Sequence, residues 1–366
     1  MSHMKRALEL ARMALGSVSP NPAVGAVLVK DGKVVGEGHT QPPGQDHAEI
    51  VALRQAGAKA RGATLYVSLE PCNHHGRTPP CTEAIVREGV AEVRFAITDP
   101  NPKVDGKGVA KLHEAGVQVS EGEEAEAARQ VVEGYAKHVT TGRPFLTAKY
   151  AMSLDGKLAT KTGDSWWLTG TPARRYAHQL RSESDVVMVG VGTVLTDDPM
   201  LTARDEADKP LPRQPLRVIV DSHGRIPLTA KVVADGPSTN SGQARTVVAV
   251  ADADEGAVKR LNERGVEVVR FLGPRGLVAL DELLAYLGGK EVTSVLTEGG
   301  ARLLGGLFDE RQVDKVVAFV APIVVSGHES PSPVEGNGVE RLADALRLTR
   351  VTMRQVGDDT VITGYC

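Results

Sequence analysis

The chain carries three zinc-type ligands in two short segments, His47-Ala48-Glu49 and Pro71-Cys72-Asn73-His74-His75-Gly76-Arg77-Thr78-Pro79-Pro80-Cys81. Any fold it adopts must bring these segments together, because an imidazole and two thiolates suit zinc better than magnesium or calcium. His47, Cys72 and Cys81 are the expected ligands. Three protein ligands leave a fourth position for water, whose pKa the metal lowers toward neutrality. Glu49 stands two residues past the histidine, too close to be a comfortable fourth ligand and well placed to carry protons beside the metal.

A structural zinc knot would close its coordination with a fourth Cys or His and would have no use for Glu49. Free cysteine is also a common core residue, but two cysteines flanking a Gly-, Pro- and His-rich loop do not read as packing. The H-x-E and P-C elements match the signature of zinc deaminases, in which the glutamate is the general acid/base. Eight residues separate Cys72 from Cys81, where the generic nucleobase deaminase has two. The spacing therefore calls for a family with an enlarged loop.

A chain of 366 residues exceeds what one core usually fills, so two domains are expected. With 43 basic and 46 acidic residues and no Lys/Arg-rich run, nucleic acid is a poor substrate. Three cysteines, two of them assigned to metal and the third being Cys366, give no disulfide framework and fit a reducing cytoplasm. No apolar run is long enough for a membrane span or a signal h-region. The sequence leaves a homo-oligomer open.

In the first half, Met4, Leu8, Ala11 and Leu15 recur at helical spacing, and residues 23–29 read as a strand that turns at Asp31-Gly32 into Val34-Val35. Residues 47–56 read as a helix with His47 and Glu49 at its start, 63–69 as a buried strand leading to Cys72, and 82–88 as a helix opened by Cys81. Ligands at two helix N-termini lie where exposed N–H groups favour a thiolate. Strand and helix patterns over 92–97, 108–115 and 117–119 complete an expected three-layer α/β/α domain over residues 1–142.

Thr141-Gly142-Arg143-Pro144 interrupts a helical pattern just before a new strand at 145–151, and a second α/β domain is expected over 145–366. Apolar, β-branched runs at 185–189, 216–220, 246–250, 266–271, 292–297 and 313–320, several separated by helical segments, predict a mostly parallel sheet covered on both faces. Residues 210–215 and 236–242 read as exposed loops. Gly190-Val191-Gly192-Thr193 and Thr297-Glu298-Gly299-Gly300-Ala301 are two places where backbone could approach a phosphate, or ordinary turns. Neither spells the G-x-G-x-x-G fingerprint, which disfavours a Rossmann domain. Trp166 and Trp167 serve either packing or stacking on a ligand ring.

These residues carry a resemblance across the whole chain to the bifunctional riboflavin-biosynthesis deaminase-reductases. The matching segments are Pro20-Asn21-Pro22-Ala23-Val24-Gly25, the loop with His74, Gly76 and Thr78-Pro79-Pro80, Asp99-Pro100-Asn101-Pro102, Ser153-Leu154-Asp155-Gly156-Lys157, Asp197-Asp198-Pro199 and Leu201-Thr202-Ala203-Arg204. The resemblance implies a cytidine-deaminase-like first domain and a dihydrofolate-reductase-like second one, with Zn2+ and NADPH as cofactors and phosphoribosylaminopyrimidines as substrates. It implies zinc-dependent loss of the 2-amino group of 2,5-diamino-6-(5-phosphoribosylamino)pyrimidin-4-one. NADPH-dependent reduction of the product's ribosyl group to ribityl then follows.

In similar enzymes the positions of Asn21 and His74 contact the pyrimidine. Arg77 replaces the lysine of some relatives and either holds the ribose phosphate or faces solvent. Many relatives carry a histidine seven residues before the zinc histidine, where this chain has Thr40; His39 points the other way if the segment is extended. Matching positions imply NADPH contacts at Ala151, Trp167, Thr193, Asp197 and Ser222, and along Gly300, Ala301, Arg302, Leu303, Leu304, Gly305 and Gly306. They imply substrate contacts at Ser165, Arg181, Leu201, Arg204 and Glu298. Lys149 also matches an active-site position, though an amine beside a strand end is often a solvated charge. Two other readings remain at this stage: a single-activity nucleobase deaminase with an inert C-terminal domain, and a non-enzymatic zinc-stabilised binding protein.

Overall fold

The structure is a computed structural model that describes residues 2–74, 79–102, 104, 106–165, 168–234 and 246–366. The expected loop at 236–242, Arg77 and both tryptophans lie outside the described residues. The chain divides into two compact units, Met1–Pro144 with Glu291–Thr293, and Phe145–Lys290 with Ser294–Cys366.

The first unit runs α1 (His3–Ala14), β1 (Gly25–Lys30), β2 (Lys33–His39), α2 (Ala48–Ala56), β3 (Thr64–Val67), α3 (Cys81–Arg87), β4 (Glu92–Phe95), α4 (Lys107–Glu114), β5 (Gln118–Glu121), α5 (Ala125–Val131) and α6 (Glu133–Thr141). Among the described residues its sheet has the order β2-β1-β3-β4-β5, antiparallel at β2/β1/β3 and parallel at β3/β4/β5.

Glycines bring two helices onto opposite faces of this sheet. A Cβ at Gly25 would lie 1.9 Å from the Ala7 carbonyl oxygen of α1, and Cβ atoms at Gly36 and Gly38 would lie 2.2 and 2.4 Å from the Ala52 and Ala48 oxygens of α2. Gly38 pairs with Ala26 and Gly36 with Leu28, whereas Gly25 pairs with His39. Partners across a ladder share a face and neighbours along a strand alternate, so α1 and α2 sit on opposite sides. Alanines at 7, 11, 48 and 52, all buried, complete the close approach.

The second unit runs β6 (Phe145–Ser153), α7 (Thr171–Glu183), β7 (Val186–Gly190), α8 (Val191–Asp197), β8 (Leu216–Val220), α9 (Lys231–Ala234), β9 (Thr246–Val250), α10 (Glu255–Glu263), β10 (Glu267–Arg270), α11 (Leu280–Gly289), β11 (Ser294–Glu298), α12 (Ala301–Asp309), β12 (Lys315–Ala321), β13 (Thr349–Val356) and β14 (Asp359–Tyr365). Its sheet has the order β10-β9-β8-β7-β11-β6-β12-β14-β13. It is parallel from β10 through β12 and antiparallel at β12/β14/β13. The closing hairpin is absent from the apolar pattern because β13 is an edge strand, exposed at seven of its eight positions, with no buried side to impose an apolar alternation. The expected strand at 292–297 starts only at Ser294. Residues 291–293 pack instead with the first unit, where the Ser19 and Thr293 hydroxyls lie 2.9 Å apart.

No described helix is long and apolar enough to cross a membrane. Gly25→Ala should force α1 off β1 and lower the stability of the first unit by about 1–3 kcal/mol, as overpacking does. Urea unfolding followed by circular dichroism checks this, with the earlier transition moving to lower urea.

Candidate functional site

His47 ends the approach to α2 as its N-cap residue, Cys72 follows β3 by a short turn, and Cys81 is the first residue of α3. The turn is tied down at both ends: Glu70 N–H donates to the Ile97 carbonyl and Thr82 N–H to the Cys72 carbonyl. The Thr82 hydroxyl also donates to Asn73 Oδ1 at 2.8 Å. One ligand atom from each of His47, Cys72 and Cys81 lies within 4.8 Å of the others. His47 Nδ1 is 3.2 Å from Cys81 Sγ and 3.6 Å from Cys72 Sγ. A tetrahedral metal with N at about 2.0 Å and S at about 2.3 Å puts S and N about 3.5 Å apart, so the donor set and spacing fit zinc.

The protons on these groups follow the same geometry. The hydrogen bond from Cys81 and the nearby imidazole bring the Cys72 thiol down to about 4, against the cost of burial. The Cys81 thiol is driven up by its hydrogen bond with Cys72 and by burial, while the bond to Cys72 raises the His47 imidazole to about 9 despite burial. A divalent cation displaces such shared protons, because ligands bind it deprotonated. Cys81 N–H also donates to Cys72 Sγ at 3.4 Å, so backbone at the start of α3 supports the thiolate.

Glu49, in the first turn of α2, is 4% exposed. Burial raises its carboxyl above its ordinary value, opposed by the charge of His47. A cleft of about 370 Å³ opens beside it, lined by Asn21, Thr40, His47, Glu49, Glu70, Cys72, His74, Asp99, Asn101, Tyr135 and His138 among others. Asn21 and His74 thus reach the same cleft as the metal ligands. Thr40 is turned to structure: its hydroxyl accepts from Val24 N–H at 3.1 Å.

Sequence reasoning assigned no part to Asp99 as a side chain, to Tyr135 or to His138. Burial pushes the Asp99 carboxyl up to about 6, against hydrogen bonds from Asn101 N–H and the Tyr135 hydroxyl. Asp99-Pro100-Asn101-Pro102 was a visible signal, but Tyr135 and His138 reach the cleft from α6, which no local pattern reveals.

In the second unit, Glu298 is the last residue of β11 and pairs with Lys149 in the middle of β6. Arg181, from α7, donates to both Glu298 oxygens at 2.5 and 2.9 Å, and Lys149 Nζ stands 3.8 Å from Glu298 Oε2. Burial alone would raise the Glu298 carboxyl, but the charge and hydrogen bonds of Arg181, together with the charge of Lys149, outweigh it and lower the group to about 2. Burial lowers the Lys149 amine, which Glu298 counters. Lys149 is therefore no solvated charge; its side chain is 18% exposed and its Nζ lies over the Phe319 ring.

Thr202 joins the neighbouring residues to this cluster. Its carbonyl accepts from Arg181 Nη1 at 3.0 Å, and its hydroxyl accepts from Arg204 Nε at 3.1 Å. Leu201, just before it, is buried at a positive φ of 54°. The structure thus brings Lys149, Arg181, Leu201, Arg204 and Glu298 together. Ser165 is half-buried in the segment before α7.

The two glycine segments also meet. A Cβ at Gly300 would lie 3.1 Å from Gly190 N, one at Gly299 would lie 3.5 Å from Thr193 Oγ1, and one at Gly192 would meet nothing within 4 Å. Side-chain-free backbone with open space at Gly192 and a hydroxyl at Thr193 fits a phosphate-bearing dinucleotide. Ala151 lies two residues before the carboxyl end of β6, Ser222 two beyond that of β8, and Asp197 ends α8, with burial raising the Asp197 carboxyl. Within α12 the expected contacts divide. Leu303 and Leu304 are core residues, and a Cβ at Gly305 would strike the Glu335 carbonyl at 2.1 Å. Ala301 and Gly306 are half-buried, while Arg302 is exposed and 3.6 Å from Glu335.

Residues 1–97 match the cytidine and deoxycytidylate deaminase zinc-binding region, and residues 144–362 match the RibD C-terminal domain. The riboflavin biosynthesis protein RibD of Aquifex aeolicus is 43% identical over 361 residues, spanning 99% of this chain and 97% of its own. Its counterpart in Escherichia coli K12 is 39% identical, over 98% of this chain and 97% of its own. Acinetobacter baumannii RibD superposes with a TM-score of 0.85 at 37% identity, covering 99% of this chain and 97% of that one. A Thermotoga maritima diaminohydroxyphosphoribosylaminopyrimidine deaminase/5-amino-6-(5-phosphoribosylamino)uracil reductase gives 0.83 at 34% identity, with the same coverage.

Purified protein should contain about one zinc per chain, and Cys72→Ser and Cys81→Ser should each lose most of it, because removing one of three ligands breaks the set. Elemental analysis after dialysis reads the result. Full retention of metal by both variants would make the assignment wrong.

Proposed function

The chain belongs to the RibD family and is a bifunctional deaminase and reductase of riboflavin biosynthesis; from that premise, we propose how its own residues share the two reactions. The single observation carrying this reading is the cleft that places a buried Glu49 beside His47 and Cys72, with Asn21 and His74 in the same walls. A single-activity nucleobase deaminase with an inert second half does not fit a chain whose residues 144–362 match the RibD C-terminal domain.

The first unit takes 2,5-diamino-6-(5-phosphoribosylamino)pyrimidin-4(3H)-one, the substrate class in the name of the Thermotoga relative. His47, Cys72 and Cys81 would hold the zinc, which when bound would lower the pKa of a water and so supply the nucleophile. Glu49 takes up a proton from water on its carboxylate and delivers it to the 2-amino nitrogen, which leaves as ammonia while the ring carbon keeps the oxygen. Its burial suits that task, since it raises the carboxyl above its ordinary value and so makes the carboxylate a stronger acceptor of the proton. Asn21 and His74 orient the ring edge, and buried polar partners discriminate against a ring that lacks the matching groups. Arg77 is assigned to the ribose phosphate.

The second unit takes the resulting aminouracil phosphate and NADPH, which supplies a hydride to the sugar carbon. NADPH would be held by Ala151, Trp167, Thr193, Asp197 and Ser222, and by Gly300, Ala301, Arg302 and Gly306 at the start and outer side of α12. Leu303, Leu304 and Gly305 support that helix from within. Lys149, Ser165, Arg181, Leu201, Arg204 and Glu298 form the substrate side. Arginine suits a phosphate because its planar fork donates parallel hydrogen bonds. The main task of these residues is to hold the sugar against the hydride donor. The protein is assigned to the cytoplasm, with small molecules as its substrates.

Glu49→Gln should lower deamination by at least about 100-fold, as loss of a general acid/base does, while zinc content stays normal. NADPH consumption with the aminouracil phosphate supplied directly should continue, and a matching fall in that rate would refute separable sites. Arg204→Ala should weaken reductase substrate binding by about 1.5–3 kcal/mol, the worth of a charge-assisted hydrogen bond, and leave NADPH binding nearly unchanged. Steady-state kinetics with both ligands varied separate the two; a defect confined to NADPH would move Arg204 to the cofactor.

A further inference from the structure

Neither reaction uses Glu70, yet it is a buried carboxylate, 3% exposed, two residues before the metal ligand Cys72. Its oxygens take four backbone N–H groups. Oε2 accepts from Asp99 at 3.3 Å and Gly106 at 3.1 Å, and Oε1 accepts from Gly108 at 2.9 Å and Val109 at 3.3 Å. Such charge-assisted bonds are short-ranged and directional, so the carboxylate fixes the backbone that surrounds it. The packing around it is equally close: a Cβ at Gly108 would lie 2.0 Å from the Pro71 oxygen and 3.0 Å from Glu70 Oε1.

The segment held in this way carries part of the deaminase cleft. Asp99 and Asn101 line it, and the Tyr135 hydroxyl, also in its wall, donates to Asp99 at 3.0 Å. Glu70 N–H meanwhile donates to the Ile97 carbonyl. One residue thus joins the strand end that delivers Cys72 to the wall that faces it, through its backbone and its side chain. His47, Glu49 and Cys81 are placed by α2 and α3, which Glu70 does not hold.

We propose that Glu70 is a positioning residue of the deaminase, which sets the distance between the metal ligands and the Asp99–Asn101 wall and thereby governs binding of the pyrimidine substrate. This rests on the deaminase reading of the cleft. Loss of the clamp loosens one wall while the metal and the proton carrier keep their places. The consequence falls on KM and leaves kcat.

The test is Glu70→Gln, in which one oxygen becomes an NH2 group that opposes two N–H donors whichever way the amide lies. Gly108→Ala is a second variant, which displaces the same segment without altering the carboxylate. In the full-length zinc enzyme, both should raise KM for the diaminopyrimidine phosphate about ten-fold and keep kcat within about two-fold. Zinc should stay at one per chain, and reduction of the aminouracil phosphate should be unchanged. An unchanged KM in both variants overturns the proposal. So does a fall in kcat, zinc or folded protein without a rise in KM, because Glu70 would then support the domain and not the wall. Ammonia release by the unaltered enzyme is measured in parallel. Its absence would sink the deaminase reading itself, whereas normal release with unchanged KM in the variants sinks only the role of Glu70.

Discussion

Close backbone contact between α2 and β2 is the constraint on which the deaminase centre depends. It exists because Gly36 and Gly38 have no side chains and Ala48 and Ala52 have small ones. A helix brought this near a strand has little freedom to slide, since interiors pack at crystal-like density. His47 and Glu49, at the start of that helix, inherit its position. The ligand distances of 3.2 and 3.6 Å are therefore set by helix packing as much as by the cysteine segment.

Both units then face the same problem, which is to keep carboxylates away from water without losing their charge or their proton. Glu70 is answered by four backbone N–H groups. Glu298 is answered by Arg181 and Lys149, and removing one partner of such a buried group leaves the other uncompensated at a cost of about 3–5 kcal/mol. Glu49 has no such set of donors, and burial raises its pKa. The difference separates roles: a fully bonded carboxylate holds its place, whereas an incompletely compensated one is free to move a proton.

The second unit collects its candidate residues by sheet topology. Parallel strands β6, β7, β8 and β11 end on one edge, so Ala151, Gly190, Ser222 and Glu298 gather there although up to 147 positions separate them in the chain. That edge is where open α/β sheets bind ligands. The Gly300 turn comes close to the Gly190 backbone because Gly300 bears no Cβ.

Much of this was legible in the sequence. His47, Cys72, Cys81 and Glu49 were readable because zinc chemistry demands particular side chains at particular spacings. Inner strands such as β1, β7 and β9 announced themselves as apolar runs, because a strand buried on both faces needs apolar residues throughout. The edge strand β13 did not, since a strand open to solvent imposes no such pattern. Lys149 could not be told from a surface amine, as its burial comes from Phe319 and Glu298 on other strands. Tyr135 beside Asp99, the four donors around Glu70 and the division of α12 into outer and core residues likewise arose from contacts between distant segments. The sequence by itself determined the chemistry available, the family and the alternation of elements. Tertiary structure alone decided which charges are compensated and which are left to react, because compensation depends on distances between groups that no local spacing encodes.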